Sequence, residues 1–199
     1  MVQEDSPRAK LLAAATAELR ANGLRDLSLR QLAAAIGTSH RMLIYHFGSF
    51  EELLVAIVDA AEAEERAQFT ALVGDGPLDR PAVIRTMWRH LTEPELAGQE
   101  RLFFELYGQA LQGRPGTEGF LDRVVSSWLD ASVALATARG MPAAEARTQA
   151  RLDLAVTRGL LLDLLTTSDR EGTTASLERY LVMTERVGAR TSKRTARAT

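Results

Sequence analysis

Glycine and proline residues divide this chain into segments whose apolar residues recur every three or four positions. Convincing alternation of β-branched and polar residues is missing, and Ala, Leu, Arg and Glu, which favour helices, dominate. In the first segment Leu12, Ala15 and Leu19 form one apolar stripe. The spacing therefore predicts an all-α fold of about nine helices, at residues 7–21, 28–37, 39–47, 50–72, 80–91, 94–112, 117–139, 142–167 and 173–189.

Composition narrows the class of protein. The 199 residues include no cysteine and three histidines, which excludes disulfides, thiolate metal sites and a cysteine nucleophile and disfavours a histidine metal site. The acidic start, Met1 to Asp5, is unlike a signal peptide, and the apolar runs fall short of the ~20 residues that a membrane span needs. We expect a soluble cytoplasmic protein without metal or cofactor.

The motifs of common enzymes are also missing. The sequence has no glycine-rich phosphate loop, no His/Glu metal spacing and no Ser/His/Asp set in a plausible helical register. We therefore do not expect an enzyme, although turnover of a substrate by the purified protein would revive that alternative. The abundant carboxylates of the central helices are expected to form a solvated face, made of Glu93, Glu95, Glu100 and Glu105.

The charges are divided unevenly along the chain, whose net charge is −2. Residues 1–50 hold six basic and four acidic side chains, residues 51–189 hold 14 basic and 22 acidic ones, and residues 190–199 hold four basic ones. This pattern restricts any contact with a polyanion to the two ends of the chain. The last ten residues have almost no apolar content, and we expect them to be a disordered basic tail.

Two short helices joined at Gly37 predict a helix-turn-helix unit within the first 50 residues. Gly37 can adopt the positive φ of a sharp turn, and the Ser39 hydroxyl can cap the next helix. At 100° per residue, Leu43 and Phe47 share the buried face of that helix, whereas Arg41 and Tyr45 lie opposite. An outer face without acids suits the major groove of DNA, where Arg41 could pair with guanine.

Several short motifs stand in a recognisable order: Ser28-Leu29-Arg30-Gln31-Leu32-Ala33, Gly37-Thr38-Ser39, Leu43, His46-Phe47-Gly48-Ser49 and Glu51-Glu52-Leu53-Leu54. In these motifs the stretch from residue 11 to residue 56 resembles the DNA-binding domain of the TetR family of bacterial transcriptional repressors. The resemblance implies an all-α homodimer that binds a palindromic operator through its N-terminal domains. It also implies a C-terminal domain that binds a small-molecule inducer and dimerises through the last two long helices.

The resemblance and the helical register together give the expected domains and DNA contacts. Residues 1–50 would bind DNA, residues 50–72 would form a connecting helix, and residues 73–189 would bind ligand and dimerise. Carried over by position, Ser28, Arg30 and His46 would contact phosphates, and His40, Arg41 and Met42 would contact bases. The full candidate DNA-binding set is Ser28, Arg30, Ser39, His40, Arg41, Met42, Ile44, Tyr45 and His46.

Three positions depart from the family's pattern. Ile44 stands where tyrosine is usual, Arg41 where a small residue is usual, and Phe50 where lysine is usual. The usual tyrosine and lysine commonly hold phosphates, and we hypothesise that Tyr45 and Arg41 replace those contacts. The alternative is a helical protein-interaction module whose DNA binding has weakened.

Two features of the C-terminal half carry the remaining expectations. Aromatic residues are concentrated between positions 88 and 128, which favours a pocket for a small apolar or amphipathic molecule, although such residues are commonly plain core. The candidate pocket residues are Trp88, Phe103, Phe104, Tyr107 and Trp128. The apolar positions of the penultimate helix, from Leu152 to Leu162, would pack on the last helix or on a second copy of the chain.

Overall fold

The computed structural model describes residues 6–22, 28–73 and 79–195, with the side chains of the last helix described as far as Thr184. Within these residues the chain forms nine α-helices and one short 3-10 helix, Pro94–Leu96, and no strand. The all-α prediction is therefore confirmed. The helices are α1 Pro7–Asn22, α2 Leu29–Ala35, α3 His40–Phe47, α4 Phe50–Val73, α5 Arg80–Leu91, α6 Ala97–Leu111, α7 Phe120–Ala138, α8 Ala143–Thr167 and α9 Arg170–Thr195.

Side-chain caps fix where the short N-terminal helices begin. Ser28 Oγ accepts a hydrogen bond from the backbone N–H of Gln31, and the Gln31 side chain accepts one from the backbone N–H of Ser28 at 2.8 Å. This reciprocal pair is a capping box, which satisfies amides left free at a helix start. Ser39 Oγ accepts from the Met42 N–H at 3.2 Å, as predicted. Ser49 Oγ likewise accepts from the Glu52 N–H at 3.0 Å.

Three predicted boundaries are wrong for local reasons. The helix predicted from residue 94 is interrupted, because residues 94–96 form a 3-10 turn before α6. The next helix begins at Phe120 rather than at residue 117, since Gly119 has a positive φ of 68°. The last helix begins three residues early, where Asp169 Oδ1 accepts from the Gly172 N–H at 2.8 Å.

The last helix also continues to Thr195, into the tail that we expected to be disordered. Residues 190–195 contain no glycine or proline to end a helix that has already formed, and extending a helix needs no new nucleation. Residues 196–199 lie outside the described part of the chain, as do residues 23–27 and the breaker at residues 74–77. Within the described residues, no helix is long and apolar enough to span a membrane.

One apolar core runs from the N-terminal helices into the C-terminal half. It joins Leu19 of α1 and Leu43 of α3 to Leu54 of α4, Leu106 of α6 and Phe120 of α7, all less than a tenth exposed. A second core lies where α5, α8 and α9 meet, around Trp88, Leu161, Leu177 and Leu181. Because α4 contributes to the first core along its N-terminal half, the helix-turn-helix unit is packed directly on the larger helical body.

Candidate functional site

The helix-turn-helix unit has the geometry that the sequence predicts. Gly37 adopts a φ of +70°, and the next N–H, that of Thr38, donates to the Ala33 carbonyl at 2.9 Å. A Cβ added to Gly37 would meet nothing within 4 Å, so the backbone conformation rather than space requires glycine here. Leu32 of α2 and Leu43 of α3 are fully buried in the first core.

One face of α3 is presented to solvent. Tyr45 is 80% exposed, and Met42 and Ile44 are 40% and 38% exposed, whereas Leu43 and Phe47 are buried. Arg41 and His40 are also exposed, at the start of the helix. The outer face therefore combines a guanidinium, a phenol and apolar side chains, and residues 40–47 contain no carboxylate. Such a face can enter a groove of DNA without repelling its phosphates.

The serines of this region are engaged in helix caps. The Ser28 hydroxyl lies 2.7 Å from Gln31 Oε1, and the Ser39 hydroxyl caps α3. Both residues are exposed, as is Arg30 on α2. The structure thus brings these three side chains to the same unit as α3 and leaves them accessible to a partner.

His46 and Phe50 have a different environment from the exposed residues of α3. Nε2 of His46 is buried without a hydrogen-bond partner, and the ring packs edge-on against Tyr45 at 4.9 Å. The buried Nε2 is not available to a phosphate. The His46 carbonyl accepts from Arg8 Nε at 3.3 Å, which connects α1 to α3. Phe50 is half-buried and packs against the first core.

A cavity of about 100 Å³ is lined by residues of α4, α5, α6, α7 and α8. Of the predicted pocket residues, Phe103 and Trp128 line it. Phe104 and Tyr107 instead line a second cavity of about 330 Å³ that includes the exposed side of α8, and Phe103 belongs to both. The predicted aromatic cluster is therefore divided between two cavities.

Trp88, the remaining predicted pocket residue, lines neither of these two cavities. It is 2% exposed in the second core, and its indole N–H donates to Thr174 Oγ1 of α9 at 3.0 Å. A buried tryptophan needs such a partner for its N–H, so this hydrogen bond fixes Trp88 as a structural contact between α5 and α9.

Three glutamates that line the cavity were not predicted as site residues: Glu62 and Glu65 of α4 and Glu100 of α6. Glu100 is 6% exposed and Glu65 is 4% exposed, so the expectation that Glu100 belongs to a solvated face is wrong. A helical register could have revealed the first two, because Glu62 and Glu65 share a face with the apolar Val58 and Phe69. The helix α6 turns Glu100 towards the same space as Phe103, three residues later.

The glutamates have few partners. Glu62 Oε2 accepts from the Trp128 indole N–H at 2.5 Å and lies 3.9 Å from Nη2 of Arg158. His90 Nε2 lies 3.1 Å from Oε2 of Glu65 and 3.3 Å from Oε1. Only the Oε1 contact is a hydrogen bond, so Oε2 has no hydrogen-bond partner. His90, which is close to the aromatic cluster in sequence, thus contacts Glu65 but does not itself line the cavity.

Burial changes the ionisation of this cluster. Burial, the largest cause, and the nearby carboxylates of Glu62 and Glu65 together raise the pKa of Glu100 to about 8, against the opposing effect of Arg158. Burial also raises the pKa of Glu62 and that of Glu65, although Trp128 and His90 respectively oppose the shift. Burial lowers the pKa of the Arg158 guanidinium. The cavity therefore disfavours unpaired charge of either sign.

Comparisons with known proteins agree with this architecture. The family model for bacterial regulatory proteins of the tetR family matches residues 11–57. The chain is 26% identical over 167 residues to the HTH-type transcriptional regulator EthR of Mycolicibacterium smegmatis, covering 79% of this chain and 71% of that protein.

Two solved structures extend the similarity over both halves of the chain. A TetR-family member from Streptomyces coelicolor A3 is 27% identical with a TM-score of 0.63, covering 87% of this chain and 98% of that one. The multidrug binding protein EbrR complexed with proflavin is 27% identical with a TM-score of 0.60, covering 87% and 99%. With the helix-turn-helix geometry described above, these similarities show that the chain belongs to the TetR family of bacterial transcriptional regulators.

Proposed function

We propose that this regulator is a homodimeric repressor that binds a palindromic operator and is released by a small molecule in its central cavity. The observation that carries the proposal is the outer face of α3, where Tyr45 is 80% exposed while Leu43 is fully buried. A short helix held from behind and exposed in front is the arrangement that inserts into the major groove. Such a protein acts in the cytoplasm, where its operator is.

The residues of α3 divide into base-contacting and phosphate-contacting roles. Arg41 can donate two parallel hydrogen bonds to guanine, and Met42 and Ile44 can contact a thymine methyl group. His40 at the start of the helix is a further base contact. Tyr45 and Arg30 face the phosphates, which position the protein without specifying sequence.

Three further residues complete the proposed contact set. Ser28 and Ser39 can donate their hydroxyl protons to phosphates while their oxygens cap α2 and α3. His46 contributes by supporting Tyr45 with its ring, since its Nε2 is buried.

The dimer is proposed to form on α8 and α9. The outer side of α8 exposes Leu152, Ala155, Gly159 and Leu162 in one row, and Met183 of α9 is 55% exposed. Small residues within this row allow close approach of a second helix. A twofold axis at this face would set the two α3 helices ~34–36 Å apart, or a multiple of that spacing, to match successive major grooves.

The proposed domains follow this division of roles. Residues 1–50 bind DNA, α4 connects the halves, and residues from 73 onwards bind ligand and dimerise. The inducer site is the cavity that Phe103 and Trp128 line. The similarity to EbrR supports a small-molecule ligand, because the structures of that multidrug binding protein are complexes with proflavin and with imidazole.

The experiment is a fluorescence anisotropy titration with duplex DNA from the region upstream of the protein's own gene. We expect salt-sensitive binding with a strong preference for one palindromic segment. Arg41→Ala should weaken specific binding by about 1–3 kcal/mol, whereas Arg101→Ala, an exposed arginine of α6, should change it little. Equal, weak binding to every duplex would instead support the protein-interaction module.

A further inference from the structure

We propose that the central cavity binds a compact organic amine in its protonated form, with the ammonium group held between Glu65 and Glu100. This inference rests on the proposed ligand-responsive function and names the chemical class of the ligand. The body of the amine would be apolar and about the size of one ring. Two unsatisfied carboxyl groups, the balance of charge and the aromatic walls carry the argument.

The first observation is that two buried carboxyl groups lack hydrogen-bond donors. Glu100 is 94% buried and lines the cavity, and no hydrogen bond from a described residue offsets the effect of burial on its carboxyl. Glu65 is 96% buried, and its Oε2 also has no hydrogen-bond partner. Buried carboxyl oxygens normally have donors, because their desolvation is otherwise uncompensated. A ligand with several N–H donors would supply them.

The second observation is the charge that surrounds the cavity. Its wall contains the carboxyls of Glu62, Glu65, Glu100 and Asp153 and one guanidinium, that of Arg158. Asp153 is already neutralised by Arg80, whose Nε lies 3.0 Å from Oδ2. Arg158 lies nearest to Glu62 and donates to the Val124 carbonyl at 3.0 Å. His90 contacts Glu65 but does not line the cavity, so among the described residues that line it Arg158 is the one guanidinium facing the carboxyls of Glu62, Glu65 and Glu100.

The third observation is the shape and lining of the space. Phe69, Phe103 and Trp128 contribute aromatic surface that suits both a cation and an apolar body. A neighbouring cavity of about 90 Å³ shares five wall residues with the first, namely Phe69, Ile84, Ser132, Ala150 and Asp153. An engineered apolar cavity of ~150 Å³ holds benzene, so two adjacent spaces of about 100 and 90 Å³ would together suit a ring-sized molecule.

A metal ion is the other cation that carboxylates commonly bind. Among the described residues, no three or more histidine, aspartate or glutamate side chains are arranged to hold one. The distribution of donors therefore favours an ammonium group, which accepts longer and less regular contacts than a metal ion.

Cation binding should also release a proton. The raised pKa of Glu100, about 8, means that this carboxyl is mostly protonated at pH 7 in the empty cavity. An ammonium ion beside it favours the carboxylate form, so the proton leaves as the amine enters. The charges that act on Glu100 are those of Glu62, Glu65 and Arg158, and His90 in turn acts on Glu65. A neutral ligand has no such effect.

The experiment compares three probes of the same size and different charge: benzylamine, benzyl alcohol and benzoate. Their binding to the purified full-length protein is measured at pH 7 and constant ionic strength by isothermal titration calorimetry and by thermal shift. We expect benzylamine to bind at least about tenfold more tightly than benzyl alcohol, and benzoate to bind most weakly. Repeating the titration in buffers of different ionisation enthalpy should show proton release with benzylamine alone.

Isosteric variants locate the site. Glu65→Gln and Glu100→Gln should each reduce the preference for benzylamine over benzyl alcohol by about tenfold while benzyl alcohol still binds. The matched control is Glu105→Gln, which changes an exposed glutamate of the same helix as Glu100 and should leave the preference intact. Retained binding of benzyl alcohol shows that a variant is folded.

The outcomes separate this inference from the proposed function. Equal binding of all probes, binding of none, or an unchanged preference in Glu65→Gln and Glu100→Gln would overturn the amine site. None of these measurements uses DNA. If benzylamine binds with the expected preference but leaves operator affinity unchanged, the amine site stands and the proposed release mechanism fails.

Discussion

Arg20 at the end of α1 donates a hydrogen bond from Nε to Oε1 of Gln99 on α6, at 2.8 Å. Its Nη2 also lies 3.2 Å from Oε2 of Glu64 on α4. Gln99 directly precedes Glu100, and Glu64 directly precedes Glu65. The side chain of Arg20 is thus held by the residues that directly precede Glu100 and Glu65. A shift of α4 or α6 around a ligand would therefore move α1.

Arg20→Ala should therefore weaken the coupling between the cavity and DNA. We expect the variant to bind benzylamine within about twofold of the original protein, because Arg20 does not line the cavity. The effect of benzylamine on operator affinity, for which a typical coupling is about 5–150-fold, should fall towards one. Anisotropy titrations with and without benzylamine measure it. Arg101→Ala is the control, and an unchanged coupling in Arg20→Ala would rule out this route.

A second contact between the halves lies at the start of α4. Arg114 Nη2 lies 2.8 Å from Oε1 of Glu51, and this contact lowers the pKa of Glu51. Gly116 approaches so closely that an added Cβ would lie 2.8 Å from the Cβ of Glu51. The loop after α6 is therefore fitted against the beginning of the helix that connects the halves.

The two faces of α3 predict opposite effects of truncation. Leu43→Ala should lower the free energy of unfolding by about 2–5 kcal/mol, because Leu43 is fully buried in the core. Tyr45→Ala should change it by less than about 0.5 kcal/mol, since most of the side chain faces solvent, yet it should weaken DNA binding. Urea unfolding followed by circular dichroism gives both values. A larger loss of stability for Tyr45→Ala would contradict the orientation of α3.

The orientation of α3 could be predicted because it depends on eight consecutive residues. Helical periodicity alone places Leu43 and Phe47 inside and Arg41 and Tyr45 outside. Local caps such as Ser39 are determined in the same way, by residues three positions apart. The sequence also contained the Ser28–Gln31 capping box, which could have been recognised.

Of the cavity lining, only Phe103 and Trp128 were predicted, because the rest depends on contacts distant in sequence. Trp88 is buried against α8 and α9, where Thr174, 86 residues later, accepts its N–H. Glu100 is close in sequence to the exposed Glu95 and Glu105. It is buried because α4 and α8 pack against α6 around the cavity. The composition of a single helix therefore does not show which of its glutamates are buried and which are exposed.

The buried Glu100 predicts that stability falls as pH rises above 5. The folded protein retains the proton up to a pKa of about 8, whereas the unfolded chain releases it near the ordinary value of 4.5. Folding therefore takes up a proton between these values, and the stabilisation present below pH 4.5 is lost as pH approaches 8. The slope from this one group is at most about 1.4 kcal/mol per pH unit.

Glu100→Gln should flatten that dependence, because its amide does not titrate. Urea unfolding at pH 5, 6, 7 and 8 compares it with the original protein and with Glu105→Gln, whose carboxyl is exposed. Glu62 and Glu65 have raised pKa values too, so part of the slope should remain. Parallel curves for the original protein and Glu100→Gln would show that Glu100 does not titrate in this range.

The exposed row on α8 predicts that a single charge separates the proposed dimer. Leu162 is 48% exposed beside Gly159, and a carboxylate placed there twice, across a twofold axis, would be desolvated and face its own copy. Leu162→Asp should sediment as a monomer and bind the palindromic duplex at least about tenfold more weakly, because one α3 reaches only one half-site. Leu111→Asp is the matched control, since Leu111 is 63% exposed at the end of α6. A Leu162→Asp protein that remains dimeric would place the interface elsewhere.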